Sequence, residues 1–159
     1  MKRVLIFGNS SSGKSTFAKK IAAEQGLSHL DLDTIAWNDE SPPSRKPLDD
    51  SKAGIIEFIQ KNPLWVIEGC YSDLLESVLD YADEVIFMDL PIASCIDNAS
   101  KRPWEPHKYA SKQQQDENLT MLIGWIRAYE GRDDVFSRAS HQRLYEQFSG
   151  NKQRLISND

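Results

Sequence analysis

Nine consecutive residues, Gly8-Asn9-Ser10-Ser11-Ser12-Gly13-Lys14-Ser15-Thr16, have the types and spacing that hold a polyphosphate. They fit G-x-x-x-x-G-K-[ST], the phosphate-loop pattern. Glycines permit a tight turn whose backbone N–H groups converge. Those dipoles, with the positive end of a following helix, favour an anion. In such a loop the lysine, here Lys14, reaches the β- and γ-phosphates, and the hydroxyl of Ser15 ligates Mg²⁺. Residues 8–16 are therefore read as the nucleotide cradle. No N-K-x-D run that would read guanine is present, so ATP is expected rather than GTP.

A phosphate site also needs acids for the metal and for the attacking group. Asp31-Leu32-Asp33 follows the second expected strand, and alternation along an extended segment would put both carboxylates on one side. One can hold Mg²⁺ through water; the other can accept or orient the proton of a substrate hydroxyl. Glu68 ends Leu64-Trp65-Val66-Ile67 and is followed by Gly69, whose missing side chain would let a ligand approach. Asp89 ends Val85-Ile86-Phe87-Met88 in the same manner. Both are candidates for the acid that holds the metal's water shell. Glu68 is preferred, because Gly69-Cys70-Tyr71 reads as a ligand-facing turn and Asp89-Leu90-Pro91 as a helix entry. Trp37 and Tyr71 lie near these contacts and can stack on a base or sugar. His29, His107 and His141 have no ligand spacing and are read as ordinary. Cys70 is read as a bystander.

The elements that must position these groups alternate. Strands are expected at Lys2–Phe7, Ser28–Leu32, Leu64–Ile67 and Glu84–Met88, with a short last strand at Lys152–Ser157. Helices are expected at Gly13–Gln25, Ser51–Lys61, Ser72–Asp80, Ile92–Lys101, and about 116–130 and 134–148. Residues 38–49, with three prolines, and 102–115 read as loops. Strand–helix alternation with nearly continuous apolar strands predicts a parallel sheet covered on both faces. Ligands bind at the carboxyl ends of such strands, which is where Gly8, Asp31 and Glu68 fall.

The chain has 159 residues, 19 basic and 24 acidic, for a net charge of −5. That balance argues against general nucleic-acid binding, which uses a basic face. The longest apolar runs are far short of the ~20 residues that span a bilayer. The start lacks the pattern of a secretory leader, and two unpaired cysteines fit a reducing compartment, so a cytoplasmic location is expected. A single domain over 1–159 is expected.

The set GNSSSGKST, DLD, WVIEG, VIFMDLP and KRPW resembles the adenylate kinase and shikimate kinase-like group of P-loop small-molecule kinases. More narrowly it resembles the adenylate kinase-related topology modulation (FlaR-like) proteins, over about residues 2–105 and more loosely beyond. The resemblance implies an α/β/α sandwich with a five-stranded parallel sheet of order 2-3-1-4-5. It also implies a substrate-binding segment at 34–62 and a short lid at 102–115. Carried over, Lys14 and Ser15 bind phosphate and Mg²⁺. Asp31 and Asp33 are similar to the D-x-D of shikimate kinase, with one acid for the metal and one for the substrate. Glu68-Gly69 is similar to the D-G of adenylate kinase, and Arg102 to its lid arginine. Arg132-Asp133-Asp134 resembles the R-x-D-D stretch after the adenylate kinase lid, lacking one residue. The segment after strand two offers only Arg45 and Lys46, in a proline-rich loop, and Gly69-Cys70-Tyr71 stands where shikimate kinase has G-G-G.

The expected activity is transfer of the ATP γ-phosphate to a small molecule. Lys14, Asp33, Arg102 and Arg132 are the expected catalytic groups, with Arg102 and Arg138 on the nucleotide. Asp31, Asp33, Trp37, Arg45, Gly69 and Tyr71 are expected on the substrate, and Ser15, Asp31 and Glu68 on the metal. Three alternatives stay open: a nucleotide kinase with a phosphate acceptor, a nucleotide-dependent regulator of DNA topology or transcription, and slow ATP hydrolysis with no acceptor.

Overall fold

The computed structural model describes residues 2–40 and 42–159; Met1, and Ser41 within the 38–49 loop, lie outside the described residues. Five parallel strands form one sheet of order β2-β3-β1-β4-β5. They are β1 (Arg3–Gly8), β2 (Ser28–Asp31), β3 (Trp65–Gly69), β4 (Glu84–Met88) and β5 (Asn151–Leu155). Helices α1 (Lys14–Gln25), α2 (Leu48–Lys61), α3 (Ser72–Val78), α4 (Ile92–Lys101), α5 (Lys112–Arg127) and α6 (Arg138–Gln147) connect and cover them.

The period of two in each strand divides the core between the two faces. Leu5, Phe7, Trp65, Ile67, Val85 and Phe87 pack toward Ile55, Leu74, Leu75 and Leu144, from α2, α3 and α6. Val4, Ile6, Val66, Ile86 and Met88 pack toward Ala18, Ile21, Cys95, Ala99 and Ile126, from α1, α4 and α5. All the apolar residues of β1, β3 and β4 are buried, as parallel strands covered twice require. The layers are thus α/β/α, and both sheet order and layering match the expectation.

Several boundaries differ. α2 begins at Leu48, one turn before the expected Ser51: Pro47 stands at its N-cap and Asp49 and Asp50 fill the first turn, a favourable pairing with the helix dipole. Residues 112–115 are helical, because the Ser111 side chain caps α5 by accepting from the Gln114 N–H at 3.1 Å. The irregular segment expected at 102–115 is therefore 102–111. Ser137 caps α6 in the same way, which starts that helix at Arg138 rather than 134. β2 ends at Asp31, and Leu32–Thr34 is a 3₁₀ turn. The extended alternation expected across Asp31–Asp33 is thus absent; the Asp31 carboxylate instead accepts from the Asp33 N–H at 2.9 Å. Among the described residues, no helix is long and apolar enough to cross a membrane.

Candidate nucleotide and acceptor site

The phosphate loop joins β1, at the middle of the sheet, to α1. Gly8 is held against β4, and a Cβ there would fall into the Met88 carbonyl oxygen. Gly13 at φ 90° and Ser11 at φ 60° turn the backbone left-handed. For serine that conformation is uncommon and marks a locally constrained loop. Ser12 Oγ is buried without a hydrogen-bond partner. Lys14 Nζ lies back along the loop and donates to the Asn9 carbonyl at 2.6 Å. The outer side of the loop is braced by neighbours. Asn9 Nδ2 donates to the Ile126 carbonyl at 3.2 Å, Asn98 Nδ2 to the Ser11 carbonyl at 2.9 Å, and Asn158 Nδ2 to the Ser12 carbonyl at 3.0 Å. Ser10 is half-buried and Thr16 is exposed on α1. Arg102 Nη2 donates to Ser11 Oγ at 2.7 Å, and its Nε pairs with Glu105 at 3.1 Å. Arg102 therefore rests on the loop.

The acids expected on the metal converge through strand pairing, since Asp31 stands opposite Glu68 in the β2–β3 register. Glu68 is 2% exposed, and its Oε2 accepts from Ser15 Oγ at 2.7 Å. Burial, followed by the charges of Asp33 and Glu68, pushes the Asp31 carboxyl up to about 6. A buried carboxylate aimed at the phosphate-loop serine, beside a second acid raised by its neighbours, has the chemistry of a hard-cation site. The residues present therefore fit Mg²⁺. Asp89 does not share this environment. It lies under two guanidiniums, Arg138 at 2.9 and 2.7 Å and Arg154 at 2.8 and 2.6 Å. Burial alone would raise its carboxyl, but those hydrogen bonds and charges hold it below the usual range. Asp89 thus ties β4 to α6 and β5, and Arg138, expected on nucleotide phosphate, has its guanidinium on Asp89.

Trp37, Tyr71, Asp33 and Arg45, expected on the substrate, form a second cluster. Trp37 Nε1 donates to Tyr71 Oη at 2.7 Å, and Tyr71 donates to Asp33 Oδ1 at 2.5 Å. Lys108, from the 102–111 segment, reaches Asp33 Oδ2 at 3.5 Å. Tyr71 and Phe136 meet edge to face, as do Phe136 and Trp125. The Arg45 guanidinium lies 4.9 Å from the Tyr71 ring centre and 5.8 Å from that of Phe136; Arg132 lies 3.4 Å from Trp125 and 5.9 Å from Phe136. Both are also ion-paired, Arg45 with Asp73 at 3.2 Å and Arg132 with Asp134 at 3.1 Å. Arg45 Nε is buried without a hydrogen-bond partner.

Two expected roles change. Gly69 faces the Leu32 side chain, which a Cβ would meet at 2.9 Å, so its missing side chain makes room for Leu32. Trp37 uses its indole N–H to hold Tyr71, beyond offering a face. The Tyr71 hydroxyl serves both neighbours, so Tyr71→Phe is expected to cost about 1 kcal/mol, the net worth of a partly solvated hydrogen bond. A urea midpoint that falls at unchanged slope would show this; an unchanged midpoint would deny the hydroxyl that part.

Sequence reasoning missed His29, Lys108 and Phe136. His29 Nε2 is 3.0 Å from Glu68 Oε2. Its signal was available, because it stands two residues before Asp31 in a strand and so shares its side. Lys108 and Phe136 carried no local signal.

The chain can be superposed over 92% of its length on a shikimate kinase from Bacteroides thetaiotaomicron, covering 97% of that chain at 16% identity with a TM-score of 0.50. It matches a sugar kinase from Janibacter sp. HTCC2649 over 92% of its length and 91% of that chain, at 17% identity and a TM-score of 0.51. The fold is that of the P-loop kinases. No family model matches the chain. A cytidylate kinase of Lactococcus lactis subsp. lactis (strain IL1403) is 42% identical over 67 residues, which is 42% of this chain and 30% of that protein's length. In this chain Lys14 and Ser15 open α1 directly after the β1–α1 turn, and Ser15 is the residue that reaches Glu68.

Proposed function

We propose that the protein is an ATP-dependent phosphotransferase acting on a small molecule that carries both a hydroxyl and an acidic group. The observation that carries this reading is the Ser15–Glu68 pair beside a loop on which Lys14 lies against the Asn9 carbonyl, together with Asp33 held by Tyr71 and Lys108. Ser15, Asp31 and Glu68 would hold Mg²⁺, which when bound would offset the charge of the nucleotide phosphates.

The protein's own groups do the rest. Lys14 swings from the Asn9 carbonyl to the phosphates. Arg102 stays at Ser11 and faces the same anion. Asp33 orients the acceptor hydroxyl and takes its proton. Arg45 and Arg132, both within 6 Å of the Phe136 ring centre, supply the positive charge that would hold an acidic group of the acceptor. Most of the rate gain comes from positioning and fixed charge. The 102–111 segment, bound to both Ser11 and Asp33, acts as the lid that keeps water out.

The arginine pair also favours a second reading, a nucleotide kinase whose acceptor is a phosphate, in line with the partial likeness to a cytidylate kinase. A panel of hydroxy acids and nucleoside monophosphates, scored by ADP release from ATP, separates the two. The narrower likeness to topology modulation proteins rests on the sequence motifs; if it carried direct DNA binding, gel shifts would show strong, salt-sensitive complexes.

The nucleotide assignment is tested by Lys14→Ala. Saturating Mg·ADP at 100 times its Kd should stabilise the wild type by about 2.7 kcal/mol, seen as a rise in melting temperature. The variant should lose that rise. An unchanged rise would overturn the assigned phosphate contact.

A further inference from the structure

Glu68 receives two donors on the same oxygen. Ser15 Oγ donates to Oε2 from α1 at 2.7 Å, and His29 Nε2 meets Oε2 from β2 at 3.0 Å. Because the buried carboxylate can only accept, the ring nitrogen facing it carries the hydrogen. Two donors from different elements fix both the rotamer and the plane of the Glu68 carboxyl group. That matters for Ser15. A hydroxyl has one hydrogen and two lone pairs. While Glu68 takes the hydrogen, the lone pairs are directed elsewhere. If the carboxylate turned, the hydroxyl could rotate and point its hydrogen into the phosphate site, where a cation needs the oxygen.

We propose that His29 is a positioning residue for the cation side of the phosphate site. It holds Glu68 in the orientation that accepts the Ser15 hydrogen and so leaves the Ser15 oxygen presented to Mg²⁺. His29 directs its Nε2 at the Glu68 carboxylate at 3.0 Å. It acts through Glu68, as outer partners do in other metal sites, where their removal costs about 10–100-fold in metal affinity. This inference rests on the nucleotide-binding reading above. It adds a residue to which neither the phosphate-loop motif nor the acidic pairs assign a part.

The test is calorimetric titration of ADP into the protein, with and without Mg²⁺, for wild type, His29→Leu and His29→Gln. ADP avoids turnover and needs no acceptor. Leucine occupies similar space without a donor; glutamine restores an N–H at about the same reach. In the wild type Mg²⁺ should tighten ADP. In His29→Leu that gain should shrink by about tenfold, with metal-free ADP affinity unchanged, and His29→Gln should recover most of it. A full magnesium gain in His29→Leu would overturn the proposal. So would equal losses with and without Mg²⁺, which would mark a merely structural residue. Should the leucine variant not fold, His29→Ala takes its place, read against the same glutamine variant. If the wild type bound no ADP under either condition, the nucleotide reading itself would fall, an outcome distinct from a failure confined to His29.

Discussion

Asp33→Asn is expected to lower phosphoryl transfer about 10²–10⁴-fold, the usual contribution of a general base, while Mg·ADP affinity stays near that of the wild type. The carboxylate stands at the end of a donor chain, with Trp37 donating to Tyr71 and Tyr71 to Oδ1, while Lys108 approaches Oδ2. Both neighbours of the carboxylate are donors. An asparagine of the same size keeps one acceptor oxygen but sets an NH₂ against the other donor. It cannot take a proton from an acceptor hydroxyl. The loss therefore falls on transfer rather than on nucleotide binding. Steady-state rates with an acceptor found in the ADP-release panel, set beside calorimetry with Mg·ADP, check this. Equal losses in both would mean that Asp33 serves the metal and that the acceptor base lies elsewhere.

The part of this site legible in the sequence is the part encoded locally. Residues 8–16 carry their chemistry in one turn, so spacing alone placed Lys14 and Ser15 together. The strands were legible because β1, β3 and β4 are buried on both faces and therefore continuously apolar. Asp31 and Glu68 were found as strand ends, and the parallel register made them neighbours. Glu68 was preferred over Asp89 for the turn that follows it; the arginines that occupy Asp89 arrive from residues 138 and 154, far along the chain. No pattern local to Asp89 announces them. The same holds for Lys108, 75 residues from Asp33, and for Phe136, which brings Arg45 and Arg132 to one ring. The 3₁₀ turn after β2 was hidden by a competing reading. D-L-D alternates like a strand, yet aspartate also caps a turn by accepting a backbone N–H, and here that local bond prevails. His29 was the one legible miss: the same-side rule applied to Asp31 would have reached it.

The second large effect concerns His141, which is fully buried on the far side of the sheet from the phosphate-loop helix. Its Nε2 faces the Cys70 carbonyl at 2.9 Å, so that nitrogen carries the hydrogen; Nδ1 then accepts from the Tyr129 hydroxyl at 2.7 Å. The ring lies against Phe7 and Phe87. Burial, more than the opposing Cys70 carbonyl, moves its pKa down from 6.5 to about 4. The unfolded chain thus takes up the proton at higher pH than the folded one. The stabilisation is fully present above about pH 6.5 and is lost as pH falls toward 4. At about 1.4 kcal/mol per pKa unit this amounts to about 3 kcal/mol. Asp31 opposes it in the same range. With its carboxyl raised to about 6, the folded protein binds that proton first, so stability from this group rises as pH falls from 6 toward 3.8. The wild-type profile should therefore be flattened between pH 6 and 4. Removing the opposing group with Asp31→Asn should expose the full His141 slope. Adding His141→Gln to that variant should lower stability at pH 7 and erase the slope. Urea unfolding of the three proteins from pH 7.5 to 4.5 reads all of this. If Asp31→Asn and its His141→Gln derivative lost stability in parallel on acidification, the imidazole would not be the group responsible.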